Sequence, residues 1–323
     1  MMFDVVALGE LLIDFTPAKL GGSGHSCFEQ NPGGAPANVL AVVSKYGGRC
    51  AFIGKVGSDM FGEFLRDTLK RLSIDCRNLV ADPEHNTTLA FVSIDENGDR
   101  SFSFCRNIGA DTCLLAEEVD IELIRQCRVF HFGTLSMTHE PAHSATMKAL
   151  ETAKGFGRVI SFDPNYRPLL WKDEASAIRA MNKGLSYADI AKLSLEEAQM
   201  ITGEKKPEDC LKSILSYGLS LAAVTLGPEG CVYAANKHTG AFPQFPADTI
   251  DTTGAGDTFW GTVIYELLRR GCGEKAAVAE LAEEELSEIM LTANIAAAMS
   301  TEKKGAIPSI PDYKEVEEVL KRA

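Results

Sequence analysis

The 323-residue sequence lacks any run near the roughly eighteen apolar residues that a membrane-crossing helix needs, which excludes a helical membrane span. No basic segment precedes its first apolar stretch, and Asp4, Glu10 and Asp14 interrupt that stretch, so no secretory leader fits. The nine cysteines include no Cys-x-x-Cys pair and their number is odd, which signals neither a disulfide framework nor a zinc knuckle. Reduced, mostly buried thiols in a cytoplasmic protein are expected instead. No Pro- or Ser-rich linker, internal repeat or low-complexity tract is present. Basic side chains are also in short supply, 32 against 45 acidic ones for a net charge of −13. Spread along the chain, that balance argues against nucleic acid or an anionic membrane as partner. An anionic substrate would have to be held by local devices.

What is present is ordinary globular composition, 45% apolar and 24% charged, in a chain long enough to bury a core without staples. Apolar runs at Val5–Leu8, Arg49–Ile53, Val129–Phe132, Val159–Phe162, Ile190–Leu193 and Ala222–Leu226 read as buried strands. Between them lie helical patterns at Ala37–Tyr46, Glu63–Leu72, Pro141–Phe156 and Ser194–Thr202. That alternation predicts an α/β fold with a mainly parallel sheet and helices on both faces. Thr88–Ile94 and Arg100–Phe104 instead alternate apolar and polar residues about Asp95-Glu96-Asn97-Gly98-Asp99, a hairpin signal. With the strand-like Leu11–Thr16 and a loop running to Gly34, the hairpin predicts a small lid beside the main sheet.

Three motifs mislead. His139-Glu140-Pro141-Ala142-His143 matches a zinc-protease pattern, but Pro141 places both histidines at a helix start. Thr138 as N-cap with Pro141 in the first turn is the simpler reading. Gly48 to Lys55 has the wrong glycine spacing for a P-loop and carries Val56 where magnesium needs Ser or Thr. The segment from Gly155 to Ile160 lacks the third glycine of a dinucleotide fingerprint.

Asp251-Thr252-Thr253-Gly254-Ala255-Gly256-Asp257 carries the chemistry. The following Thr258–Arg270 is an amphipathic helix, with Phe259, Val263 and Leu267 four residues apart. The glycine turn therefore sits at a helix N-terminus, where unpaired amides can receive an anion. A carboxylate there would repel a bound phosphate. It makes sense if Asp257 faces an incoming hydroxyl and accepts its proton during phosphoryl transfer. A capping Asp over a tight turn is the alternative.

This motif resembles the C-terminal signature of the ribokinase-like (PfkB) carbohydrate kinases. Gly33-Gly34-Ala35-Pro36-Ala37-Asn38-Val39, with Gly47, Gly48 and Gly57 downstream, resembles their N-terminal signature. The resemblance covers nearly the whole chain. It implies one domain over 1–323, with a three-layer α/β/α core and a β lid from about 11–33 and 86–111. It also implies ATP and Mg²⁺, with Asp257 as base and Gly254, Ala255 and Gly256 as anion hole. Asp14, Gly33, Gly34 and Asn38 are then the sugar-binding positions. Their types suit a neutral polyol, which is read by carboxylate, amide and closely approached backbone.

Segments 102–111 and 162–171 resemble bacterial and plant fructokinases, placing Arg106 and Arg167 toward the substrate. Cys105 and Ile108 depart from that pattern, which usually has an aromatic residue and a proline. For the nucleotide, the resemblance points to Lys192, Ser194 and Glu197, to Thr225, Gly227 and Gly230, and to Asn294 near the base. Ser194 replaces the Asn of N-x-x-E, while Glu197 keeps the acid acting on magnesium through water. Asp251, Thr253, Ser300, Lys303, Gly305 and Ser309 match a potassium-ion loop. The expectation is phosphorylation of D-fructose at C6 by a cytoplasmic enzyme, a homodimer through its lid. A 2-keto-3-deoxygluconate kinase, a non-catalytic sugar sensor and a metallohydrolase remain as rivals.

Overall fold

The computed structural model describes residues 2–18, 27–94, 100–235 and 238–323. A large sheet is built from β1 (Phe3–Leu8), β4 (Cys50–Gly57), β5 (Asp75–Asp82), β8 (Cys127–Phe132), β9 (Val159–Phe162), β10 (Ile190–Ser194), β11 (Leu221–Thr225), β12 (Cys231–Ala235) and β13 (His238–Phe242). Its order is β13-β12-β11-β10-β9-β8-β1-β4-β5, antiparallel only where β12 and β13 join. The inner strands are mostly apolar because helices cover both faces. Along β1, Val5 and Ala7 enter one core while Val6 and Leu8 enter the other, as the two-residue strand period requires. The first core also holds fully buried Trp260 of the helix Ala255–Arg269, which packs beside the helix Ala35–Lys45.

The small sheet consists of β2 (Leu12–Ala18), β3 (Cys27–Gly33), β6 (Leu89–Ile94) and β7 (Arg100–Cys105), in the order β3-β2-β6-β7. The expected hairpin is β6 against β7, antiparallel from Leu89↔Cys105 to Ile94↔Arg100; its turn, residues 95–99, lies outside the described residues. Cys27–Gly33, expected as loop, is instead a strand paired along β2. β5, β12 and β13 were also not anticipated. The helix expected from Pro141 begins at Ala142, with Pro141 rather than Thr138 at the cap position.

The chain passes between the sheets four times, at Gly9–Leu11, Gly34, residues 83–88 and residues 106–111. Among the described residues no helix is long and apolar enough to cross a membrane. Five of the nine cysteines are buried, while Cys27 and Cys105 are exposed.

Candidate active site

β1, β9, β10 and β11 end at a common rim, and a cavity of about 480 Å³ opens there. Clefts at strand carboxyl ends are where open α/β sheets bind ligands. Its walls include Asp14, Asn38, Arg167, Lys192 and Asp257. A second cavity of about 510 Å³ is lined by Gly227, Gly230 and Asn294, and shares Thr225, Thr252 and Gly256 with the first.

Between the two stands the start of the helix Ala255–Arg269. Gly254 holds φ +77°, and a Cβ there would lie 2.7 Å from Ala306 Cβ, so glycine is required. The helix has no side-chain cap. Ala255 N already donates to Thr252 O at 3.2 Å, and Gly256, like Thr252, lines both cavities. An anion set at this end meets the positive end of the helix dipole.

Asp257 lies in the first turn and is 7% exposed. Asn38 Nδ2 donates to its Oδ2 at 2.8 Å, and Asn165 Nδ2 to its Oδ1 at 3.4 Å. Burial, reinforced by Asp163, pushes Asp257 up to about 6, against the pull of Lys192, the Asn38 bond and Arg167. Asp14 is likewise raised to about 6, chiefly by burial, with Arg167 lowering it and Asp257 raising it. Asp14, Asp257 and the Arg167 guanidinium thus act on one another in the first cavity, which Glu10, Asp163, Glu196 and Glu197 also line. A Cβ on Gly33 would fall 2.1 Å from Asp14 Oδ2, and one on Gly34 2.4 Å from Glu10 O. The glycine pair therefore lets the chain close over Asp14.

Arg106 is placed differently from Arg167. It is 6% exposed, donates from Nε to Asp111 Oδ2 at 2.8 Å, and gives further bonds to Thr138 Oγ1 and Leu135 O. Thr88 Oγ1 donates to the other Asp111 oxygen. Arg106 therefore clasps the lid stem to the segment after β8, and its neighbour Phe104 lines the cavity.

On the nucleotide side, Lys192 Nζ lies 2.7 Å from Asp163 Oδ2. Burial works against the ammonium, yet Asp163, Glu197 and Asp257 together raise its pKa. Ser194 caps the helix Leu195–Thr202: its Oγ accepts from Glu197 N at 3.2 Å, while Glu197 Oε2 accepts from Ser194 N at 2.7 Å. Glu197 Oε1 accepts from Tyr166 N. Burial raises Glu197, and Asp163 adds to it. Three buried carboxylates thus surround one ammonium, and among the described residues Asp163 Oδ1 has no hydrogen-bond partner. This all-oxygen, electron-rich set fits magnesium.

In the second cavity Gly227 and Gly230 hold φ +59° and +96°. Asn294 donates to Pro243 O at 2.6 Å. Asp251 Oδ1 accepts from Thr253 N and its Oδ2 from Gly305 N, which joins the glycine turn to the loop 303–309. Ser300 and Ser309 hydroxyls donate to Ala297 O and Ala306 O. Elsewhere, Asp82, His85 and Cys113 bring ligand atoms within 4.8 Å of one another, and Lys55 lies 3.5 Å from Asp82.

Sequence reasoning missed Glu10, Asp163 and Asn165 as residues of this site. The available signal was their place directly after buried strands, where a charge has few reasons to lie other than a site.

The chain belongs to the pfkB family of carbohydrate kinases, whose profile matches residues 2–313. It is therefore a phosphotransferase. Fructokinase-1 of Zea mays is 39% identical over 322 residues, 99% of this chain and 98% of that protein. Fructokinase of Xylella fastidiosa with bound ATP is 29% identical, with TM-score 0.90 over 100% of this chain and 99% of that one. Fructokinase of Vibrio cholerae O395, bound to fructose, ADP and calcium, is 31% identical, with TM-score 0.86 over 98% and 99%.

Proposed function

We propose that this protein is an ATP-dependent fructokinase that phosphorylates the C6 hydroxyl of D-fructose. The carrying observation is Asp257 at an uncapped helix N-terminus, between a polar cavity and a glycine-walled one. Asp14, Asn38 and the Gly33–Gly34 backbone bind the sugar hydroxyls, with Arg167 between Asp14 and Asp257. ATP lies along Thr225, Gly227 and Gly230 with its base toward Asn294, and its phosphates reach Lys192 and Gly254–Gly256.

The C6 hydroxyl attacks the γ-phosphorus as the bond to the β-phosphate oxygen breaks. Its proton passes to Asp257, and ADP departs. In a loose transition state the proton leaves late, so a base near pKa 6 suffices. The amides of the helix start and Lys192 stabilise charge on the migrating group. Glu197, through water, and Asp163 would hold magnesium, which when bound neutralises phosphate charge. Asp251, Thr253, Ser300, Lys303, Gly305 and Ser309 would hold potassium, which when bound would help order the glycine turn that Asp251 already ties to Gly305.

A neutral sugar is favoured over a keto acid because Arg106 is committed to Asp111, and Asp14 and Asp257 accompany Arg167. Side-by-side kcat/KM for fructose and 2-keto-3-deoxygluconate tests this; a large preference for the acid overturns it. A second copy covers the lid face where Phe28, 48% exposed, meets Phe15 and Phe91. Free thiols support a cytoplasmic location.

A further inference from the structure

Glu10 sits in the passage Gly9–Leu11, where the chain first leaves the large sheet for the lid. The returning passage runs tightly against it. A Cβ on Gly9 would lie 2.5 Å from Pro36 Cγ, and one on Gly34 2.4 Å from Glu10 O. Gly34 occupies the cap position of the helix Ala35–Lys45 at φ +112° and has no side chain to serve its first amides. Glu10 supplies the missing acceptor from 25 positions away: its Oε1 receives the hydrogen bond of Ala35 N at 3.0 Å. The side chain is 3% exposed, and its second oxygen, Oε2, is buried with no hydrogen-bond partner among the described residues. Keeping a carboxyl there is costly, and burial pushes it up to about 7.

One helical turn beyond Ala35 stands Asn38. Its backbone N donates to Gly34 O at 2.9 Å, and its Nδ2 donates to Asp257 Oδ2 at 2.8 Å. We propose that Glu10 is a positioning residue for phosphoryl transfer: by capping the start of the helix Ala35–Lys45 it holds the Asn38 amide against the base. The role rests on Asp257 being that base. Glu10 touches no reacting atom; it acts through Ala35 and Asn38.

The test is a double-mutant cycle on the full chain with ATP and fructose. Glu10→Met fills the same buried space but offers no acceptor. It should lower kcat by up to about 100-fold, the cost of an ångström-scale misplacement. Asn38→Ala should lower kcat similarly, and adding Glu10→Met to it should cause little further loss, because both remove one linkage. Glu10→Gln keeps an acceptor for Ala35 N and should retain most of the wild-type kcat. Multiplying losses in the double variant, or a Glu10→Gln as impaired as Glu10→Met, would overturn the proposal. A fall of Glu10→Met in thermal stability alone, with kcat intact, would also overturn it. Should Glu10→Met not fold, the Glu10→Gln result decides. Asp257→Asn, run alongside, separates the failures. Full turnover by that variant removes the base itself, whereas multiplying losses beside an inactive Asp257→Asn remove only the role of Glu10.

Discussion

Asn38 donates through Nδ2 to Asp257 Oδ2 at 2.8 Å, joining the first turns of two helices 219 positions apart. The bond occupies one oxygen of the base with a neutral amide. Among the described residues the other, Oδ1, has only the longer contact to Asn165, and it is the one placed to take a substrate proton. An amide steadies the carboxylate without drawing its pKa far down, as a cation in the same place would.

Activity and stability should respond to pH in opposite directions. Asp14 and Asp257 are both raised to about 6, so kcat/KM should rise as pH increases through that value. With pKa values above the unfolded one, the native state binds more protons than the unfolded chain between about pH 4 and 6. The stability these groups contribute is therefore greatest below about pH 4 and is lost as pH rises through 6. A pH–rate profile beside urea titrations checks this; parallel trends through that window would contradict it.

Gly254→Ala should lower kcat by roughly 100-fold, the scale of losing one anion-hole donor. The new methyl would lie 2.7 Å from Ala306 Cβ, and the backbone holds φ +77°, so the turn must shift. Steady-state kinetics at saturating ATP would expose an unaffected turn.

Breaking the lid clasp is expected to cost stability more than chemistry. Arg106 and Asp111 are almost wholly buried, so Asp111→Asn leaves a guanidinium short of its counter-charge, a loss of about 3 kcal/mol. Denaturant unfolding measures it, and an unchanged midpoint would show the pair to be dispensable.

Replacing potassium by tetramethylammonium should reduce turnover, and Asp251→Ala should abolish the difference between the two cations. Asp251 already ties Thr253 N to Gly305 N, so a cation there would act on the turn that carries Gly254. Equal rates in both salts would remove the ion from the account.

Much of this was legible because it is local. The seven residues from Asp251 to Asp257 encode a glycine turn, a helix start and an acid in one stretch, and the inner strands announce themselves as apolar runs. Cys27–Gly33 was read as loop because an edge strand of a small sheet, with Pro32 and Gly33 at its end, has no continuous apolar face. The resemblance points Arg106 toward the substrate, but its partners, Asp111, Leu135 and Thr138, meet it only through the fold and are not legible along the chain. Glu10 was hidden for the same reason. Its task, capping a helix whose own cap residue must be glycine, appears only when two chain passages are seen side by side.

The most direct test is the single-turnover rate of Asp257→Asn with ATP and fructose, measured together with its affinity for ATP. Loss of the base predicts a rate at least about 100-fold lower, with nucleotide affinity retained. Phosphorylation of fructose at the wild-type rate would contradict the role given to Asp257 and the mechanism built on it.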